Sequence, residues 1–404
     1  MNILYHHRTR GSGAEGVHIK GIVAALREKG HTVNILSFPG ADPEKTEDSV
    51  KMNNESQKSF FIRGMHWLSG LSKSVPEFVF EWLEILYNLI ALARLKQSFR
   101  QESIDLIYER YSLFMFFSIW LANKHKIPIV LEVNDSVLVP RVRPLKYKWL
   151  AKKIEKWVFT NCTGIVFISK QFREMAAQEY GQISKTVICP NAADISKFNL
   201  KLYKKKCIQK EYGLTGKIVC GYVGAFVYWH GIDWFVEKIA PRIKEQPELV
   251  LLLIGDGVCY KAIKEIVIRE QIEKQIMLTG RVSHNDIPKY LTAMDFGILP
   301  DSNTYGSPMK LFEFMAMGCG MVVPGFPPIR EVVIDKKTGW IYPPGDKGAC
   351  VNLVLEVAKD RIAQRTVGVQ SRSYIEKERQ WKHNVEIILA MIDGNGIVNS
   401  KITG

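Results

Sequence analysis

The densest chemistry in this chain lies between Ile298 and Pro324. There Gly306-Ser307-Pro308-Met309-Lys310-Leu311-Phe312-Glu313 follows an apolar run that ends at Pro300. The Gly-Ser-Pro turn opens a helix, with Ser307 suited to its N-cap and Pro308 to its first turn. The helix stops at Gly318-Cys319-Gly320, and another strand follows. Such a helix starts at the carboxyl end of a parallel sheet, where doubly wound folds bind ligands. Its first N–H groups have no partner inside the helix and favour an anion. Lys310, in that first turn, adds a full positive charge, and a diphosphate is a natural occupant. Glu313 lies one turn further along the same face, where its two oxygens can accept both hydroxyls of a ribose. A plain surface pairing of Lys310 with Glu313 would need no Gly-Ser-Pro turn.

Two more glycine turns join a strand to a helix. Gly11-Ser12-Gly13-Ala14-Glu15-Gly16 fits G-x-G-x-x-G, which predicts a dinucleotide only when an acidic residue ends the second strand. That strand ends Leu36-Ser37-Phe38-Pro39, without one, and Arg8-Thr9-Arg10 lengthens the turn. A nicotinamide or flavin dinucleotide is therefore disfavoured, and the turn is expected to border an anion held mainly by another part of the chain. The second turn is Val223-Gly224-Ala225-Phe226-Val227-Tyr228-Trp229-His230-Gly231. Its free N–H groups suit phosphate; it reads equally as a connecting loop around a buried Trp229. His230 has three open roles: an imidazolium against phosphate, a neutral hydrogen-bond donor, or a support for Trp229. His18, on the first helix, reads as structural.

These turns need sheets to hold them. Short apolar runs alternate with helical spacing along the whole chain, the signature of parallel sheets covered on both faces. A first series of strands is expected at 3–7, 31–38, 106–108, 128–133 and 164–168, with a helix from Val17 to Lys29 ending at Gly30. A second series is expected at 218–223, 249–254, 276–278, 296–300 and 321–323, followed by a last helix over 373–392. The fold class is α/β, with two doubly wound Rossmann-like domains. The expected organisation is an N-terminal domain over 1–195, a Lys-rich linker over 196–216 and a C-terminal domain over 217–372. The tail, 373–404, is expected to pack back on the first domain.

At 404 residues, two domains are the default. A net charge of +14 calls for nucleic acid, an anionic membrane or a phosphorylated substrate. No nucleic-acid motif is present. The seven cysteines include no C-x-x-C pair and read as reduced, mostly buried residues of a cytoplasmic protein. The amino terminus begins directly with a strand and lacks the pattern of a signal peptide. The most apolar stretch, Pro76 to Leu95, is interrupted by Glu81, Glu84, Asn88 and Arg94 and does not read as a membrane span.

The segment from Ser307 to Ala316 resembles the retaining GT-B glycosyltransferases of family four, whose two domains face each other across a cleft. Members carry two glutamates at this site; the second corresponds to Glu313, and the first falls at Tyr305. The form Ser-Pro-x-Lys-Leu-Phe-Glu resembles a subgroup in which Lys310 meets the diphosphate. Ile107-Tyr108-Glu109-Arg110-Tyr111 and Leu131-Glu132-Val133-Asn134-Asp135 resemble segments lining the acceptor side, and many relatives have His where Asn134 stands. Trp229-His230-Gly231 is similar to the subgroup's phosphate loop, Gly280-Arg281-Val282 to the loop that touches the base, and 188–194 to the passage before the linker. The resemblance implies Lys310, His230 and Asn134 as catalytic residues. It implies donor contacts from Gly13, Gly224, Arg281, Val282, Gly306, Ser307, Pro308, Met309, Leu311 and Glu313, with Glu132, Asp135 and Arg110 toward the acceptor.

It further implies transfer of a sugar from a nucleoside diphosphate to a glycan or lipid-linked acceptor in envelope or exopolysaccharide synthesis, with retention. Leaving-group charge would be met by Lys310, the helix terminus and the Gly224 loop. No metal, cofactor or nucleic acid is expected, and no Asp-x-Asp motif occurs. Trp67-Leu68-Ser69-Gly70-Leu71, the helix from Phe78 to Leu95 and the basic stretch Arg141 to Lys153 combine aromatic with cationic residues, as suits the inner face of an anionic membrane. A core helix beside a solvated basic face is the competing reading. With Tyr305 in place of the first glutamate, a non-catalytic nucleotide-sugar binder is the alternative function.

Overall fold

The computed structural model describes residues 1–37, 41–45, 77–141 and 144–394. Trp67 to Leu71, Phe38, Pro39 and Arg143 lie outside the described residues. The chain divides into two compact units. One comprises Met1–Ile168, Phe172–Cys189 and the chain from Val385 onward; the other comprises Ser169–Gln171 and Pro190–Asn384.

The first unit is built on a six-stranded parallel sheet, order β2-β1-β3-β4-β5-β6. Its strands are β1 (Asn2–His7), β2 (Thr32–Ser37), β3 (Leu106–Arg110), β4 (Ile129–Val133), β5 (Gly164–Phe167) and β6 (Lys185–Ile188). Helices α1 (Gly13–Glu28), α2 (Glu77–Gln101), α3 (Phe117–His125) and α4 (Lys148–Asn161) follow successive strands. Every residue of β4 and β5 is buried, and apart from Glu132 both strands are apolar, as expected of a sheet covered on both faces. Among the described residues no helix is long and apolar enough to cross a membrane.

The second unit repeats the plan, with strand order β12-β11-β10-β7-β8-β9. Its strands are β7 (Ile218–Val223), β8 (Leu249–Ile254), β9 (Ile276–Gly280), β10 (Phe296–Ile298), β11 (Met321–Pro324) and β12 (Trp340–Tyr342). Helix α5 (Ile232–Ile243) follows β7, and α6 (Met309–Ala316) joins β10 to β11. Two apolar clusters, one on each face of the sheet, make the core.

Several boundaries differ from the sequence expectation. The edge strands β6 and β12, of four and three residues, were not anticipated. Residues 196–216, expected as a linker, pack into the second unit: Phe198, Ile208 and Leu214 are buried in its core. The last helix is two. One ends at Glu378, and α7 (Trp381–Ile392) starts afresh. Between them the Arg379 carbonyl accepts the Ala193 N–H at 3.1 Å, and Gln380 bridges to Ala193. The backbone thereby leaves the helical ladder to pair with a distant segment.

Candidate active site

The second unit gathers its chemistry at the carboxyl end of β7. Tyr222 is buried in that strand, and its hydroxyl donates to the Ala225 carbonyl at 2.9 Å. The same oxygen accepts the ammonium of Lys310 at 3.2 Å, and Lys310 Nζ lies 4.3 Å from the centroid of the Tyr222 ring. Gly224 makes this approach possible. It sits at φ +145°, and a Cβ there would stand 2.7 Å from Lys310 Nζ; any other residue would be strained and would push the ammonium away. Burial brings the Lys310 amine down to about 7, with the Glu313 carboxylate opposing the shift.

His230 closes the cluster from the 3₁₀ turn Tyr228–His230, ahead of Gly231 at φ +68°. Its Nδ1 lies 3.0 Å from the Ala225 carbonyl and 3.2 Å from the Tyr222 hydroxyl. A carbonyl only accepts, so Nδ1 carries the proton and Nε2 presents a lone pair in the neutral ring. Burial first, then the Lys310 charge, lowers the ring to about 4, against the pull of the Ala225 carbonyl. In the free protein His230 is therefore neutral, and its one N–H is spent. Trp229 is exposed rather than buried, which removes the expectation of a loop wrapped around it.

The turn before α6 corrects two expectations. Pro308 is the N-cap itself, at φ −67° and ψ 119°, and no side chain caps the helix. The Ser307 hydroxyl is engaged elsewhere, accepting the Asn191 N–H at 2.9 Å, while the Asn191 amide donates to the Ser307 carbonyl. The uncapped terminus leaves its first N–H groups without a helical partner, beside the Lys310 ammonium. Gly306 is buried, its N–H donating to Asn303 Oδ1. Met309 is half-buried. The Leu311 side chain is in the core, and its N–H donates to the Pro308 carbonyl. Tyr305, at the place of the expected first glutamate, accepts a hydrogen bond from Ser169 at its carbonyl.

Lys310 and Glu313 do not pair with each other. Glu313, 5% exposed, takes the His284 Nε2–H at 2.8 Å. Past the end of β9, Arg281 is exposed and Val282 is half-buried against the core. Two residues of this site escaped the sequence. Tyr222 lies inside an apolar run, and His284 carries no motif.

In the first unit, Glu132 is the penultimate residue of β4 and is buried. It accepts from the Tyr108 hydroxyl at 3.0 Å, from Arg110 at 2.7 Å and from the Asn134 amide, and His18 Nε2 lies 2.8 Å away. Burial opposes its ionisation, yet His18 and Arg110, with hydrogen bonds from His18 and Tyr108, hold the carboxyl down at about 2. Asp135 is more exposed and pairs with Arg141 at 2.6 Å. Gly13 starts α1 at φ +62°, behind an N-cap, Ser12, whose side chain makes no capping bond. In the same turn, a Cβ on Gly11 would meet the Ala41 carbonyl at 2.2 Å.

Comparison with known proteins decides the family. The Glycosyltransferase Family 4 domain matches residues 15–197, and the Glycosyl transferases group 1 domain matches residues 217–360. Together they take in most of the chain. The chain belongs to the GT-B glycosyltransferases of family 4. This glycosyltransferase is 22% identical over 335 residues to the alpha-monoglucosyldiacylglycerol synthase of Streptococcus pneumoniae, a match covering 80% of this chain and 70% of that protein. Over 131 residues it is 27% identical to the amylovoran biosynthesis glycosyltransferase AmsK of Erwinia amylovora, 31% of this chain and 32% of that one. Its fold superposes on that of Anabaena HepE, solved in complex with UDP, with a TM-score of 0.73 and 15% identity, over 96% of this chain and 100% of the other. Two Rossmann-like domains and glycosyl transfer are thereby its architecture and its activity.

Proposed function

We propose that this glycosyltransferase moves a hexosyl group from a nucleoside diphosphate sugar to a hydroxyl of a lipid-linked or envelope glycan acceptor, with retention and without a metal. The observation that carries the proposal is the Lys310 ammonium, desolvated over Tyr222 and Gly224 beside an uncapped helix terminus. In the reaction the anomeric C–O bond breaks and its electron pair goes to the diphosphate. The acceptor oxygen forms the new bond on the same face and gives its proton to the departing phosphate. Charge grows on that phosphate, and donors fixed beforehand stabilise it at no cost of reorganisation. Lys310 and the first N–H groups of α6 supply them, and Glu313 takes the ribose. On this reading Arg281 and Val282 serve the base, and Glu132, Asn134 and Asp135 serve the acceptor. No cofactor is needed beyond the donor itself. Incubation with UDP-, GDP-, ADP- and TDP-sugars is expected to give transfer or slow donor hydrolysis with one of them. Binding without either would leave a non-catalytic binder.

The site carries a pH signature. The Lys310 amine, near 7 when free, returns toward its ordinary value once a diphosphate lies against it. At pH 8 the free amine is mostly neutral, so binding takes up close to one proton; at pH 6 the amine is already charged and contributes little. Calorimetry of nucleoside diphosphate binding in buffers of different ionisation enthalpy is expected to give larger proton uptake at pH 8 than at pH 6. Equal uptake would remove Lys310 from the diphosphate.

We further propose that the enzyme works at an anionic cytoplasmic membrane face, through α2 and α4. Phe78, Trp82, Leu86 and Leu89 form an exposed stripe along α2, and Trp149 and Trp157 are exposed on α4. Glu81 accepts the Lys146 and Tyr147 N–H groups, and Trp82 meets Tyr147 edge-on at 6.2 Å, which joins the two helices. Lys148, Lys152, Lys153 and Lys156 lie on α4 with these tryptophans, Lys153 over Trp149. Flotation with phosphatidylglycerol vesicles at low salt is expected to carry the protein upward, and Trp82→Ser with Trp149→Ser to reduce it strongly. Retention of the protein at the bottom of the gradient would end the membrane assignment.

A further inference from the structure

Lys310 and Glu313 stand three residues apart on α6, a spacing at which opposite charges on a helix normally meet. Here they do not. The reason lies in a chain of contacts that starts far away in sequence. Lys197 Nζ lies 2.6 Å from His284 Nδ1 and donates to Asn285 Oδ1 at 3.2 Å. An ammonium has only donors, so His284 Nδ1 is the acceptor and the ring's proton sits on Nε2. That N–H points to Glu313 Oε1 at 2.8 Å. The Phe198 ring meets the imidazole edge-on at 6.0 Å. Lys197 is placed by a turn in which Asp194 Oδ1 accepts the Ser196 and Lys197 N–H groups. One oxygen of a buried carboxylate is thus held from outside the helix.

We infer that His284, backed by Lys197, is a positioning residue that keeps Glu313 off Lys310 and orients its carboxylate for a ribose diol. Two consequences follow from one hydrogen bond. The ammonium stays available to the diphosphate, because the carboxylate that could neutralise it is tied elsewhere. The carboxylate, acceptor-only and fixed at one oxygen, keeps the other for ribose hydroxyls. Loss of His284 frees Glu313 to swing to Lys310, which weakens diphosphate binding and abolishes ribose selectivity together. The inference rests on the donor-site assignment of Lys310 and Glu313.

The test is the ratio of affinities for a ribonucleoside diphosphate and its 2′-deoxy counterpart, using the tightest binder among UDP, GDP and ADP. A hydrogen bond to a charged group gives the wild type a preference of about tenfold or more for the ribo form. His284→Phe, which keeps an aromatic ring and removes the donor, is expected to bring the ratio near one. His284→Gln, with an amide N–H near the Nε2 position, restores much of it. Lys197→Met, which lets His284 adopt the other tautomer, lowers it as well, so the inference does not hang on the folding of a single variant. A purely structural role would weaken both ligands alike and leave the ratio at its wild-type value; that result in folded His284→Phe or Lys197→Met overturns the inference. Glu313→Gln separates the two levels. If it keeps the preference, or if none of the diphosphates binds wild type, the donor-site assignment itself has failed.

Discussion

Lys310→Ala is expected to lower kcat by about 10²–10³ while leaving the protein folded, the cost of removing one preorganised donor from a developing anion. The expectation follows from where the ammonium sits. It is held by one hydroxyl, one aromatic face and the gap over Gly224, and among the described residues no carboxylate is salt-bridged to it. An unpaired charge in a desolvated place contributes little to stability and much to a ligand that completes it. Stability gives a second reading of the same fact. The Lys310 amine titrates near 7 in the folded chain and near 10.5 when exposed, so between those values the unfolded state binds more protons and stability rises with pH. The variant lacks that penalty. It should match or exceed the wild type in Tm at pH 6 and lose the advantage as the pH approaches 10. Tyr222→Phe, which keeps the ring but removes the oxygen, should fall between the two in activity. Unchanged kcat at saturating donor in Lys310→Ala would leave the proposed mechanism without its main cation.

Much of this arrangement is visible in the sequence because it is local. The Gly-Ser-Pro turn, the helix after it and the glycines after β1 and β7 each announce themselves within a few residues, and the fully buried strands β7 and β8 read as apolar runs. What escaped depends on partners that meet only in the fold. Ser307 has the chemistry of a cap, but Asn191, 116 positions away, claims its hydroxyl. Tyr222 reads as one more apolar residue of its strand until Ala225, His230 and Lys310 close around its oxygen. His284 lies 29 positions from Glu313 and 87 from Lys197, so no spacing rule links the three. The same holds in the first unit. His18, read as structural, sits in α1 after β1, and its partner Glu132 sits in β4, two strands along the sheet from β1. A side chain's type and its helix or strand are local properties; its hydrogen-bond partner is a property of the topology.

Glu132→Gln is expected to destabilise the first unit by about 3–5 kcal/mol, as when one member of a buried ionic network is removed. Glu132 is buried, and its two oxygens receive Tyr108, Arg110 and Asn134, with His18 at ion-pair distance. A glutamine presents one acceptor and one amide to the same partners. At least one donor then faces an N–H, and the Arg110 guanidinium loses its counter-charge. The depressed carboxyl points the same way. A carboxyl held at about 2 instead of 4.5 in this fully enclosed place corresponds to about 3 kcal/mol of linked stability. The sign is that of a depressed acid: the contribution is complete above about 4.5 and disappears as the pH falls toward 2. Wild-type stability, followed by urea unfolding with a probe in the first unit, should therefore drop steeply across that window. The variant starts lower and shows a shallower acid limb, because the group that titrates is gone. Activity should fall beyond what lost stability explains, since Glu132 also holds the Asn134 amide and so fixes the loop that leads to Asp135. Equal urea midpoints for the two proteins at pH 7, or parallel acid limbs, would mean that this network does not hold its carboxylate ionised, and the proposed acceptor side would need another anchor.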